Sequence, residues 1–340
     1  MARTFPRAPT LAFALALSAG GIGAAQSAEY TMKFGVLTFN DTQHFFGNAV
    51  KEAVEKATNG RVEVKVFPRG QLGSPSAHVQ GLQLGTIEAF MAPIDFFAGV
   101  DPRAGVFSTP FLFKDRVQTG KVVHDPAIYT EALDLMESKG IVAGMIVGLA
   151  DGKYIARQPL KRLADFNGKK LRVNATDAER ERMKRLGATA IPMGLAEMVT
   201  SLQSGVIDGT MSGISIHVNF NLQNISKELL VTNDTMLVTY AGISKKWLDG
   251  MPPELRKTVL DTIRGMKAKA VELAADEDKT LSQKWRDRGG TFFTWPKEDM
   301  DEFRKRVGSV GEDITAKNPA VNAYYKKVKA VSDKYPASTN

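Results

Sequence analysis

Residues 252–290 read PPELRKTVLDTIRGMKAKAVELAADEDKTLSQKWRDRGG. From Pro252-Pro253 to Arg286 one helical period runs through them: Leu255, Val259, Ile263, Met266, Ala270 and Leu273, resumed by Leu281 and Trp285. Pro253 suits a first helical turn and Gly289-Gly290 an end. At 1.5 Å per residue such a helix runs on the order of 50 Å, longer than a domain of half this chain is across. Either it crosses two domains, or it breaks near Gly265 or at Asp276-Glu277-Asp278. The stripe lapses between Ala274 and Leu281, which argues against a coiled coil. The crossing helix is the preferred reading.

Working outward, strand and helix signals alternate, which predicts a parallel α/β architecture. Thr31–Val36 reads as a short strand, and Phe46, Ala49, Val50, Ala53, Val54 and Ala57 as a helix stopped by Asn59-Gly60. Arg61–Val66 alternates strictly, as a strand with one wet face does. Ile87–Ala92, Gly140–Val147, Lys170–Val173 and Leu237–Ile243 read as further strands. Asp177–Leu186 and Ala196–Ser204 read as helices closed by Gly187 and Gly205. The chain has no repeat of fixed period.

The 340 residues are 43% hydrophobic and 24% charged, with 45 Lys+Arg, 37 Asp+Glu and no cysteine. That composition excludes a disordered chain, disulfide staples and Cys-based metal or thiol chemistry. Met1 to about Ala28 reads as an export leader. Arg3 and Arg7 precede the apolar run Leu11–Leu17, and Gly20, Gly21, Gly23, Ala24 and Ala25 supply small residues before a cut near Ala25–Ala28. The run is short of the roughly 20 residues a membrane span needs. A soluble, periplasmic mature protein without membrane insertion is expected.

Signs of catalysis are thin. His44, His78, His124 and His217 are scattered without ligand spacing, and no nucleophile elbow or phosphate loop is present. Asp208 and Glu197 form the one carboxylate pair suited to acid–base work, and such residues more commonly solvate loop ends. No enzyme, metal or cofactor is expected. Basic residues are interleaved with acids, which excludes a nucleic-acid strip.

Arg172 is the most informative polar residue. It stands between Leu171 and Val173, so alternation turns it to the face opposite two buried side chains. A guanidinium at a sheet edge is a fork matched to a carboxylate; a surface ion pair with Asp165 or Asp177 is the competing reading. Lys153 and Tyr154, Asp95 and Phe96, and His44 and Phe45 also lie where loops leave strands or helices begin, where α/β clefts bind ligands.

The order of motifs resembles the solute-binding proteins of TRAP transporters (the DctP type) from about Thr31 to Tyr324. The series runs through Ala57-Thr-Asn-Gly-Arg61, Val64-Lys-Val-Phe-Pro68, Leu82-Gln-Leu-Gly-Thr-Ile87 and Pro110-Phe-Leu-Phe-Lys-Asp115. It continues through Leu163-Ala-Asp-Phe-Asn-Gly-Lys-Lys-Leu-Arg-Val173, Ile191-Pro-Met193, Ser201-Leu-Gln-Ser-Gly-Val-Ile-Asp-Gly209 and Val231-Thr-Asn233. The resemblance implies a two-lobed periplasmic-binding-protein fold, with hinge strands and a long helix spanning both lobes. Lobe I would hold 29–149 and 238–277, lobe II 150–237 and 278–335, with 336–340 a tail. Ligand would bind between the lobes, and the family's carboxylate anchor falls on Arg172.

Departures from the family pattern narrow the ligand. Where members often carry an Arg before the anchor strand, this chain has Gly152-Lys153-Tyr154. Where members often have Asp-Gly-Gln-Glu-Asn, it has Asp208-Gly-Thr-Met211-Ser212. Fewer polar partners favour an aromatic or otherwise apolar monocarboxylate over a sugar acid or C4-dicarboxylate, with Phe45, Phe96 and Tyr154 as walls. The resulting expectation is capture of an organic acid anion and its delivery to TRAP membrane permease subunits. A periplasmic ligand sensor for a membrane receptor, or a periplasmic enzyme, is the alternative.

Overall fold

The computed structural model describes residue 1, residues 27–174 and residues 176–338. The leader read in residues 1–28 falls almost wholly outside the described residues.

Nine strands form one mixed sheet: β1 Tyr30–Val36, β2 Val62–Phe67, β3 Ala89–Pro93, β4 Ile141–Ala156, β5 Lys170–Val173, β6 Thr189–Pro192, β7 Gly209–Ser212, β8 Glu228–Ser244 and β9 Thr291–Phe293. Their order is β2-β1-β3-β8-β4-β7-β5-β6, with β9 beside β8. The two longest strands, β4 and β8, run antiparallel through the middle, and each serves two neighbourhoods. The C-terminal half of β8 pairs β3, from Ala89↔Ile243 to Pro93↔Thr239, while its N-terminal end pairs β9, from Glu228↔Thr291 to Leu230↔Phe293. The C-terminal end of β4 pairs β7, from Lys153↔Ser212 to Ala156↔Gly209. The two wings of the one sheet thus share two crossing strands, which is the two-lobed fold with its hinge. The parallel expectation holds for β1 with β2 and β3 and for β5 with β6 and β7; the centre is antiparallel.

The sequence reading made both crossing strands too short. Their apolar pattern is interrupted where the β4–β8 ladder jumps from Asp151↔Met236 to Lys153↔Val231. Four residues of β8, Thr232–Thr235, oppose Gly152 alone. The buried charged side chains of this irregularity are paired: Lys153 with Asp151, and Asp234 with Arg182. A Cβ on Gly152 would lie 2.2 Å from the Met211 sulfur, so the bare backbone is what seats Met211 there.

The crossing helix is broken. Pro253–Gly265 and Lys267–Asp287 are separate helices, with Met266 (φ −84°, ψ 14°) off the helical geometry between them. Gly265 weakens the helix at that point. The second helix alone, roughly 32 Å long at 1.5 Å per residue, reaches both halves: it packs on the Thr42–Ala57 helix, on β4 and on the Ile214–Asn219 helix. Its buried side is Ala270, Ala274, Glu277, Leu281 and Trp285. Glu277 fills the lapse in the stripe.

The hydrophobic core divides with the sheet. Phe90, Ile94, Phe107 and Val122 pack on one face of the first half, and Met32, Phe34, Val50 and Val259 on the other. In the second half the clusters centre on Phe166, Leu171 and Phe303, and on Leu202, Ile207 and Trp285. One assignment is corrected. The Pro319–Lys334 helix, expected with lobe II, buries Val321, Tyr324 and Val328 in the same cluster as Phe107 and Phe113 of the first half. Its apolar stripe returns it there after the chain has crossed.

Candidate ligand-binding site

Arg172 is held by the strands on either side of it. β5 runs between β6 and β7, with Arg172 opposite Ile191 and Thr210. Asp208 Oδ2 accepts from Lys170 N at 2.8 Å, which fixes the start of β5. At the other end Arg172 Nε donates to Met193 O at 3.0 Å, aiming the guanidinium. The side chain is only 4% exposed, and among the described residues this is its one hydrogen bond and no carboxylate lies within ion-pair distance. Asp165 accepts from the Arg162 backbone and Asp177 pairs with Arg180, so neither pairs with Arg172.

Two acids sit near enough to act on it through charge. Glu179 is organised by its own helix start: Thr176 Oγ1 accepts from Glu179 N, and Asn174 N donates to Glu179 Oε2 at 2.8 Å. Asp95, in the turn Ile94–Phe97 that follows β3, is buried with Oδ1 unpartnered. Burial pushes its carboxyl up to about 7, helped by the charge of Glu179 and opposed by Arg172. Burial in turn lowers the Arg172 guanidinium, and Glu179 and Asp95 counter that.

Arg172 lines a cavity of about 60 Å³ between the two halves of the molecule. The first half gives it Thr38, Gln43 and Phe96, and the second Asn174, Ser212 and Ile216. Phe96 and Asn174 also border a neighbouring open cleft of about 540 Å³ with Arg180 and Lys317 at its sides. The halves are clasped close by. Asn219 Nδ2 donates to Phe39 O and Asn40 O at 2.8 and 3.0 Å, and Phe220 meets Phe39 edge-on.

Of the residues singled out from sequence, Arg172, Ser212, Met211 and Phe96 share this wall, and Asp95 borders the adjoining cleft. Lys153 and Tyr154 do not line the cavity. Lys153 is buried with Nζ 2.6 Å from Asp151, and Tyr154, on the other face of β4, packs edge-on to Phe166. His44 and Phe45 also lie elsewhere: His44 Nδ1 accepts from Asn40 N, and the Phe45 ring is 46% exposed. Both sit past the N-cap Asp41, on the outer side of a helix whose inner side carries Gln43. A helix start turns neighbours to different sides, so a loop position alone could not choose among them.

Sequence reasoning missed Thr38, Gln43, Asn174 and Ser215, polar residues with no motif around them. It also missed a buried acid pair behind the cavity wall. Asp41 caps the Thr42–Ala57 helix, and Glu277 of the crossing helix accepts from Thr42 N. Ser215, which lines the cavity from the second half, stands beside Glu277 and eases its charge, while Glu277 Oε1 keeps no hydrogen-bond partner among the described residues. Burial and the Asp41 charge push Glu277 up to about 7, and burial raises Asp41 too. The signal for Glu277 was present in sequence as an acid where the apolar stripe wants a side chain.

Among the described residues no group of three or more His, Cys, Asp or Glu side chains is arranged to hold a metal ion, and no helix is long and apolar enough to cross a membrane.

Known proteins share this plan. The profile of bacterial extracellular solute-binding protein family 7 (DctP) matches residues 35–318. The Escherichia coli 2,3-diketo-L-gulonate-binding periplasmic protein YiaO is 26% identical over 296 residues, 86% of this chain and 88% of its own. The Rhodobacter capsulatus C4-dicarboxylate-binding periplasmic protein DctP is 30% identical over 269 residues, 77% of this chain and 79% of its own. A TRAP periplasmic solute-binding protein from Xanthobacter autotrophicus, solved with bound β-D-galacturonate, superposes with a TM-score of 0.82 at 26% identity, over 88% of this chain and 99% of that one. The chain belongs to the bacterial extracellular solute-binding proteins of family 7.

Proposed function

We propose that this protein captures a carboxylate-bearing organic acid between its lobes, with Arg172 as the anchor, and delivers it to a TRAP-type permease outside the cytoplasm. The observation that carries the reading is a buried guanidinium facing an interlobe cavity with no carboxylate among the described residues paired to it. A buried cation without a partner is costly, and a ligand carboxylate supplies the missing charge. The relatives support the ligand class: diketogulonate, C4-dicarboxylates and galacturonate are all carboxylates.

The lobes are taken as 29–149 with 238–277 and the Pro319–Lys334 helix, and 150–237 with 278–318, hinged where the β4–β8 ladder changes register. Closure then is a hinge motion that contacts from both lobes to one ligand stabilise. Export by a leader cut near Ala25–Ala28 places the protein where a permease can meet it; mass spectrometry of the exported chain checks the new N-terminus.

Arg172→Ala tests the anchor. Losing one partner of a buried, hydrogen-bonded charge pair costs about 2–5 kcal/mol, so calorimetric binding of the acid falls by at least about thirtyfold while the fold persists. Unchanged affinity defeats the assignment.

A further inference from the structure

We infer that the acid held at Arg172 is a short-chain monocarboxylate with a hydrocarbon body, and that dicarboxylates are rejected. The inference rests on the carboxylate-capture reading above and narrows it.

The charges around the cavity decide how many anions it accepts. Three cations are buried in this part of the molecule, and two are already paired: Lys153 Nζ with Asp151 at 2.6 Å, and Arg182 with Asp234 at 2.8 Å. Of the three, Arg172 alone has no carboxylate partner among the described residues. Acids surround the space. Asp95 and Glu179 act on Arg172 through charge, and Asp41 and Glu277 stand behind Ser215 and the N-terminal turn that carries Gln43. One ligand carboxylate completes Arg172. A second would enter a desolvated space with no free cation and with acids behind both walls, and an unpaired buried charge is the costliest group to place there.

The wall sets the rest of the molecule. Leu149, Leu195, Met211, Ile216, Leu237 and Phe96 make up the apolar part of the wall, beside the neutral polar side chains Thr38, Gln43, Asn174, Ser212 and Ser215. Hydroxyls of a sugar acid turned to the apolar part would go unpaired. Two neutral side-chain oxygens of the wall, Gln43 Oε1 and Thr38 Oγ1, are buried and without a partner among the described residues, so one or two hydroxyls on the body are accommodated. The volume, about 60 Å³, holds on the order of four to six waters. That matches a body of about four to six carbons.

The test is isothermal titration calorimetry at pH 8 of the wild-type protein and Arg172→Met. The probes are butanoate, pentanoate and hexanoate against succinate, glutarate and adipate. The expected result is a monocarboxylate that binds the wild type at least about 100-fold more tightly than the dicarboxylate of equal length, with binding lost in Arg172→Met; an unpaired buried charge costs enough for that ratio. A dicarboxylate that binds as tightly or more tightly, and depends on Arg172, overturns this inference and leaves the capture reading standing. Binding that ignores the Arg172 substitution defeats the capture reading and this inference with it; no binding by any of the six acids overturns this inference alone.

Discussion

Two buried arginines ten residues apart do opposite things. Arg182, 1% exposed, has its charge answered within the protein: Nη1 donates to Asp234 Oδ2 at 2.8 Å and to Thr235 Oγ1, and Tyr154 packs beside the guanidinium. Arg172, 4% exposed, has among the described residues a single hydrogen bond, to a backbone carbonyl. Burial and residue type are the same. What separates a fold-holding arginine from a ligand-facing one is whether the protein supplies the counter-charge. Arg182 ties a helix of the second lobe to the irregular stretch of β8, and Arg172 waits on a cavity.

The largest effect expected is on the Arg182 side. Arg182→Met strands Asp234 as a buried, unpaired carboxylate and costs about 3–5 kcal/mol. At about 2–4 °C per kcal/mol for a large domain, melting followed by circular dichroism falls by roughly 10 °C. A drop of only a degree or two would show that Asp234 relaxes to water, and the contrast between the two arginines would weaken.

Arg172→Met should do the reverse. It removes a buried charge that has no partner, so the ligand-free protein melts at the same temperature or higher. The rise in melting point that a bound acid gives the wild type disappears. A ligand-free melting point that falls as far as that of Arg182→Met would mark Arg172 as structural.

A smaller, pH-dependent effect belongs to two buried acids beside the cavity. Glu277 and Asp95 both titrate near 7 in the folded chain, well above their ordinary values of 4.5 and 3.8. Between those limits the folded state holds protons that the unfolded state has released, so stability falls as pH rises through the window and levels off above it. For Glu277 the change is on the order of 3 kcal/mol. Glu277→Gln keeps an acceptor for Thr42 N and removes the charge. Its melting point should match the wild type near pH 4.5 and exceed it at pH 8; equal pH profiles for the two would contradict the assignment.

The smallest effect is at the clasp. Asn219→Ala removes two hydrogen bonds from the second lobe to Phe39 O and Asn40 O. At about 1 kcal/mol of net value, ligand affinity falls roughly fivefold with little change in the ligand-free melting point. An unchanged affinity would mean that these contacts do not favour the closed form.

The fold was legible where apolar period is strong. The Arg61–Val66 alternation became β2, and the Leu255–Trp285 stripe located the helix that reaches both lobes. It was illegible where burial is polar. The middles of β4 and β8 carry Asp151, Lys153 and Thr232–Thr235, whose pattern reads as loop until Arg182 and the cross-strand partners are in place. The site divides in the same way. Arg172 could be picked out because a charged residue between two apolar strand positions must face something. Lys153 looked equivalent from its position and is neutralised by Asp151, two residues away. Gln43, Asn174 and Ser215 carry no pattern at all; only the closure of two distant segments brings them together.

The central claim is that the charge of Arg172 is left for the cargo. A crystal structure of the protein grown with the acid that calorimetry selects tests it most directly. The ligand carboxylate should lie about 2.7–2.9 Å from the terminal nitrogens of Arg172, with Arg182 still on Asp234. A carboxylate bound away from Arg172, or Arg172 turned to a protein acid in the loaded form, would contradict it.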